Sequence, residues 1–262
     1  MFSALKSRVS GLFERKVEGG GRRSIFALVA ALVGGNIVAT VVKMVCGVVT
    51  ARFVEPTIMG LFTGITLIQG YIPFLQLGVS NGLNRELPYY VGKGEQSHVQ
   101  ELAATAQAWS LVLGGGTAVG LTGVAFWQGA CGNWMQAAGW MTNAITAFFL
   151  FYGTYYLQIT FRTRGDFARL ALINVVQSVV SLVFVVLVWW LAFYGLCLRA
   201  LVVVAVQLAL LWYWRPVKVF PQFKKEPFIH LLKIGAPIFV VGQVYAYWTT
   251  LDSTLLLCYC GT

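Results

Sequence analysis

The chain has 262 residues, of which 58% are hydrophobic and 11% charged, and it carries a formal net charge of +10. A soluble domain has about a quarter charged residues and needs a polar face on every surface helix, so this composition excludes a water-soluble globular fold. Between Leu102 and Phe161 there is no Asp, Glu, Lys or Arg at all. Hydrocarbon can solvate such a stretch; water cannot. Within a bilayer every backbone amide must be satisfied by helix or closed barrel. Barrel strands alternate apolar and polar residues over about ten positions, whereas these runs are continuous and about 20 residues or longer, the length a helix needs to cross. The predicted fold class is all-α, a polytopic membrane helix bundle of about seven transmembrane helices.

In chain order, Met1 to Arg23 places Phe2, Leu5, Val9, Leu12 and Phe13 near helical spacing among basic residues. Two readings stay open for segment 1–24: an amphipathic helix on the inner leaflet, or a basic tail. The first apolar run, Ile25 to Ala51, exceeds a signal-peptide core and lacks a cleavage pattern, so it is read as a retained span. Further spans are predicted at 57–83, 102–127, 136–160, 169–193, 196–214 and 232–257. Turns fall at Gln128–Asn133, Arg162–Asp166 and Phe193-Tyr194-Gly195, and Pro216, Pro221 and Pro227 keep a basic linker, 215–231, out of helix. Pro73 and Pro237 are expected to kink spans two and seven. Gly60 with Gly64 and Gly116 with Gly120 offer small-xxx-small faces for helix packing.

Positive charge gathers in alternate connections. Arg85, Lys93, Arg162, Arg164, Arg169, Arg215, Lys218, Lys224, Lys225 and Lys233 share one side with the basic amino-terminal segment and Lys43 lies within a span, leaving only Arg52 and Arg199 for the loops opposite. The positive-inside rule then predicts a cytoplasmic amino terminus. The net charge is a topology signal, and no basic domain suited to nucleic acid is present. Five cysteines, an odd number, lie mostly in or beside apolar runs and read as small apolar residues. Cys258 and Cys260 have neither a second pair nor a nearby histidine, so no metal or cofactor is expected. His98 and His230 sit far apart in charged linkers, and no nucleophile has a positioned base. The sequence does not read as an enzyme.

Polar groups inside spans are the candidates for transport chemistry, because burying them in lipid is costly. They include Asn36, Lys43, Gln69, Gln76, Gln107, Asn143, Gln158, Asn174, Gln177, Gln207, Gln243 and Asp252. Amides outnumber charges. They suit either interhelical bonding or a cavity that hydrogen-bonds hydroxyl groups.

Two stretches carry a family resemblance: Thr50-Ala-Arg-Phe-Val-Glu-Pro-Thr-Ile-Met-Gly-Leu-Phe-Thr-Gly64, and Leu77-Gly-Val-Ser-Asn-Gly-Leu-Asn-Arg-Glu-Leu-Pro-Tyr-Tyr-Val-Gly-Lys-Gly-Glu95. They resemble, respectively, the joint between spans one and two and the end of span two in the polysaccharide and oligosaccharide flippases. That family belongs to the exporter superfamily that also holds multidrug and peptidoglycan-precursor exporters. Trp248-Thr-Thr-Leu-Asp252 is a weaker match. The resemblance implies a bacterial inner-membrane transporter that flips a lipid-linked oligosaccharide by alternating access, with the bilayer, the lipid-linked sugar and polysaccharide-assembly proteins as partners. It also implies two six-helix lobes: 25–214 would form the first and 232–262 the opening helix of the second. The chain would then be a piece of a longer carrier, or a half-carrier that dimerises.

On that reading the substrate-binding or gating candidates are Lys43, Asp252, Asn36, Gln69, Gln243, Arg52 and Arg85. Helix anchoring competes as an explanation for Arg52 and Arg85, and snorkelling for Lys43. At about 1.5 Å per residue, Lys43 and Asp252 reach similar depth from the inner side, so a charge pair closing the outer gate is expected as one possibility against separate snorkelling. Two rivals remain: a multidrug antiporter of the same superfamily, disfavoured mildly by a lysine instead of a carboxylate in span one, and a non-transporting membrane scaffold.

Overall fold

The computed structural model describes residues 21–260, with side chains described for 33–244 and at Leu251 and Leu255. The segment expected over 1–24 therefore falls almost wholly outside the described residues. Every regular element among those described is helical. The order is α1 (Gly21–Phe53), α2 (Pro56–Thr66), α3 (Ile68–Tyr71), a 3-10 segment (Ile72–Gln76), α4 (Val79–Lys93), α5 (Gln96–Ala130) and α6 (Trp134–Phe149). It continues with a π-helical segment (Leu150–Leu157), α7 (Gln158–Thr163), α8 (Phe167–Val183), α9 (Val185–Tyr213) and α10 (Lys225–Cys260).

The polarity of these helices is inverted relative to a soluble bundle. On α1 the inward stripe is small, with Ala39, Cys46 and Thr50 buried, while Ile37, Val41, Met44, Val45 and Val48 point out. Small residues let helix axes approach closely, and large apolar residues face the lipid. Among the described residues, five helical stretches are long and apolar enough to cross a bilayer: Val33–Phe53, Pro56–Gln76, Gln96–Ala130, Val185–Tyr213 and Lys225–Val244. The remaining passes are segmented. α6, the π segment and α7 run on as one, and α8 continues past a break at Phe184. This is an all-α polytopic membrane bundle.

Three expectations are corrected. The second span is a broken helix, not a continuous one over 57–83: Leu77 and Gly78 both adopt left-handed φ, at 54° and 91°, before α4 restarts. Pro73 sits in the 3-10 segment just ahead of that break. The turn expected at Phe193-Tyr194-Gly195 occurs at Ala192, with φ 45° and ψ −113°, and helix resumes at once. A Cβ at Gly195 would lie 2.3 Å from the Leu187 carbonyl oxygen, a separation possible only where the chain doubles back as a tight helical hairpin. Finally, Gly116 and Gly120 face open space, with nothing within 4 Å of an added Cβ.

The close glycine contact lies elsewhere, between α4 and α10. A Cβ on Gly82 would sit 2.2 Å from the Leu231 carbonyl oxygen, and one on Gly78 would meet Gly235 and Ala236 backbone at 2.7–2.9 Å. Gly78 is thus required both by its positive φ and by the approaching backbone. The buried core beneath this contact joins Leu83 and Leu87 of α4 to Leu102, Tyr156, Phe161 and Leu231. Gly82→Ala should therefore lower stability by about 1–3 kcal/mol through overpacking, whereas Gly116→Ala should be neutral or mildly stabilising; thermal unfolding of the purified variants checks the contrast.

Candidate functional site

Among the predicted site residues, Asn36 and Gln69 find partners on other helices, Asn36 at an exposed position. Asn174 on α8 donates to Asn36 Oδ1 at 3.1 Å. Gln69 on α3 donates to Asn143 Oδ1 at 2.5 Å and to Thr146 Oγ1 at 2.8 Å, while Asn143 donates to the Ile65 carbonyl at 3.0 Å. Asn143 is fully buried. This network joins the second and fourth passes. Gln177 and Gln207 pair similarly at 3.1 Å between α8 and α9.

The charged candidates are arranged differently. Lys43 is exposed on α1, two turns beyond Asn36 and two turns short of Thr50, so the three share one stripe. No acidic partner faces Lys43 among the described residues. Asp252 belongs to α10, but its side chain lies outside the described residues, as does any pairing with Lys43. Arg52, in the last turn of α1, and Arg85, on α4, are both exposed. Gln243 on α10 is half-buried, and its Oε1 has no partner among the described residues.

Several features escaped the sequence reading. Arg199 belongs to the sixth pass, not to a loop: it lies about 10 Å beyond Ala192 at 1.5 Å per residue. Its Nη1 donates to Thr50 Oγ1 at 2.7 Å and approaches Cys46 Sγ at 3.5 Å. Cys46 in turn contacts Ser181 Oγ at 3.5 Å. A guanidinium thus ties the first, fifth and sixth passes together on neutral acceptors alone. Only the hairpin at Ala192 brings it there, and a single apolar run of uncertain turn position could not reveal that. The π-helical segment was also unforeseen. It carries Tyr152, which receives a hydrogen bond from Gln107 at 3.3 Å, and Tyr156, stacked on Tyr152 with ring centroids 5.8 Å apart.

At the end of the bundle where the basic residues gather, α10 is tied to the earlier helices by polar contacts as well as by glycine. His230 Nε2 lies 3.2 Å from Glu86 Oε2, a carboxylate only 9% exposed. Lys224 bonds Glu101 at 2.6 Å, and the Gln222 amide donates to the Ala104 carbonyl at 3.3 Å. Trp109 packs on Phe228 with centroids 4.8 Å apart.

A broken second pass, a hairpin between passes five and six, and a seventh helix locked to the second define the class of fold: an all-α polytopic membrane bundle. Among solved structures it is similar to the outward-facing conformation of a multidrug resistance MATE family transporter of the MOP superfamily. The TM-score is 0.65 at 18% identity, covering 88% of this chain and 54% of that one. The chain therefore spans about half the length of that transporter. No protein-family model matches the chain, and no curated protein matches it by sequence.

If Arg199 clamps the first pass to the sixth, Arg199→Ala should expose the Cys46 thiol. With Cys131, Cys197, Cys258 and Cys260 all replaced by Ser, membrane-permeant maleimide should label Cys46 several-fold faster in Arg199→Ala than in the parent. Arg199→Lys should restore protection only in part, because the shorter side chain ends in a compact and more strongly hydrated ammonium.

Proposed function

We propose that this chain is part of a bacterial inner-membrane transporter that moves a lipid-linked oligosaccharide across the bilayer by alternating access. The observation that carries the reading is the likeness of the bundle to one half of a transporter, joined to a first pass that bears an exposed Lys43 and no carboxylate. A phosphate-bearing headgroup is attracted to a cation; a cationic drug is repelled by one. In the proposed cycle the facing wall of the cavity comes from further chain or from a second copy. Lys43 on the first pass and Asp252 on the seventh approach each other when the outer gate closes, and the incoming anionic headgroup competes for Lys43. Asn36, Gln69 and Gln243 would offer amides to sugar hydroxyls when their present bonds exchange. Arg52 and Arg85 anchor the helix ends.

The second reading, a multidrug antiporter, is favoured by the description of the similar structure itself. One experiment separates the two. In cells lacking their own polysaccharide flippase, the full-length protein should restore surface polysaccharide and should leave drug susceptibility unchanged; drug resistance without polysaccharide rescue would reverse the assignment. Within that assay, Lys43→Asp and Asp252→Lys should each impair rescue, and the double exchange should recover part of it. Purely additive defects would remove the gate pair.

The proposed orientation puts the amino terminus and the basic end in the cytoplasm. Reporter fusions after Gly94 and Lys225 should read cytoplasmic and one after Asn133 periplasmic; a periplasmic signal at Gly94 inverts the topology.

A further inference from the structure

We propose that the basic end of the bundle holds a headgroup site for an anionic glycerophospholipid, built between the start of α5 and the extended segment that joins α9 to α10. Residues 215–224 form no helix, as Pro216 and Pro221 dictate. This non-helical segment lines one cavity of about 400 Å³ with Lys218, Val219, Phe220, Gln222 and Lys224. Its other wall is α5, through Ser97 and Gln100. The segment is held in place by its own contacts: Val217 is buried, and the Gln222 amide reaches the Ala104 carbonyl.

The charges in this cavity select the ligand. Its carboxylate, Glu101, is already engaged by Lys224 at 2.6 Å, and Lys224 beside it holds that acid below the usual carboxylate range. Lys218 has no acidic partner among the described residues and is left to meet a phosphate. Ser97, Gln100 and Gln222 add neutral hydrogen-bonding groups suited to glycerol hydroxyls. A zwitterionic headgroup would bring a second cation with no free carboxylate to receive it.

The surroundings place the cavity at a membrane surface. Phe220 is 86% exposed and Phe223 is 56% exposed, an arrangement unfavourable in water but normal for rings seated among headgroups. Trp212 is exposed one turn before the segment, with the Arg215 guanidinium 5.0 Å from its ring centre. Basic and aromatic residues interleaved along one segment are what an anionic leaflet attracts. The proposal does not depend on what the protein transports.

The test uses the purified protein in micelles containing equimolar phosphatidylglycerol and phosphatidylcholine, with retained lipid read by native mass spectrometry. Phosphatidylglycerol should be retained several-fold over phosphatidylcholine. Lys218→Glu should abolish that preference, whereas Lys93→Glu, at an exposed lysine of the same end but outside the cavity, should keep it. Equal loss in both variants would reduce the effect to net charge and overturn the site. A photoactivatable phosphatidylglycerol gives a readout on the unaltered chain: crosslinks should fall within residues 218–224 and 97–100, and labelling elsewhere overturns the proposal. Displacement of phosphatidylglycerol by substoichiometric polyprenyl diphosphate also overturns it, because the cavity would then serve the lipid carrier of a sugar instead of bulk lipid.

Discussion

Hydrocarbon offers a polar group no hydrogen-bond partner, and the interior of this bundle is organised around that constraint. Hydroxyls within the passes turn back onto their own helices: Thr50 onto Cys46, Ser110 onto Ala106, Thr142 onto Ala138 and Ser178 onto Asn174, all at 2.7–2.9 Å. Side-chain amides, which cannot be satisfied that way, pair across helices as Asn36 with Asn174, Gln69 with Asn143 and Gln177 with Gln207. Arg199 follows the same rule with a charge, spending its donors on Thr50 and Cys46. Each such bond joins passes that apolar contact alone would leave free to slide, since lipid competes equally well for apolar surface.

Close packing supplies the rest of the cohesion. Without a hydrophobic force between helices, association depends on how nearly their backbones can approach. The nearest approach is at Gly78, Gly82 and Gly235, where no Cβ can be accommodated. The left-handed pair Leu77–Gly78 breaks the second pass at that point, where α4 begins and packs against α10.

The basic end behaves as a mechanical unit. The His230–Glu86 contact, the Lys224–Glu101 bond and the glycine contact together hold the first half of α10 to α4 and α5. Pro237 lies just beyond the last of these contacts and removes one backbone donor from α10.

Fold class and pass number were legible in the sequence because lipid imposes a length and an apolarity that composition reports directly. The polar residues within the passes could be named for the same reason: any amide or charge stands out in an apolar run. Their partners could not. Asn36 and Asn174 are 138 residues apart, and nothing local connects them. The hairpin break falls at Ala192, one residue before the expected Phe193-Tyr194-Gly195, whose turn chemistry was more evident; Gly195 was needed for close approach to Leu187. Likewise Gly116 and Gly120 carried the packing motif while Gly78, Gly82 and Gly235 carried the packing. A motif states that two helices can approach, but only the arrangement of all the passes decides which ones do. Composition determined that this chain is a polytopic membrane bundle; tertiary structure decided which polar groups meet, because partners such as Asn36 and Asn174, or Gln69 and Asn143, come from different helices far apart in sequence.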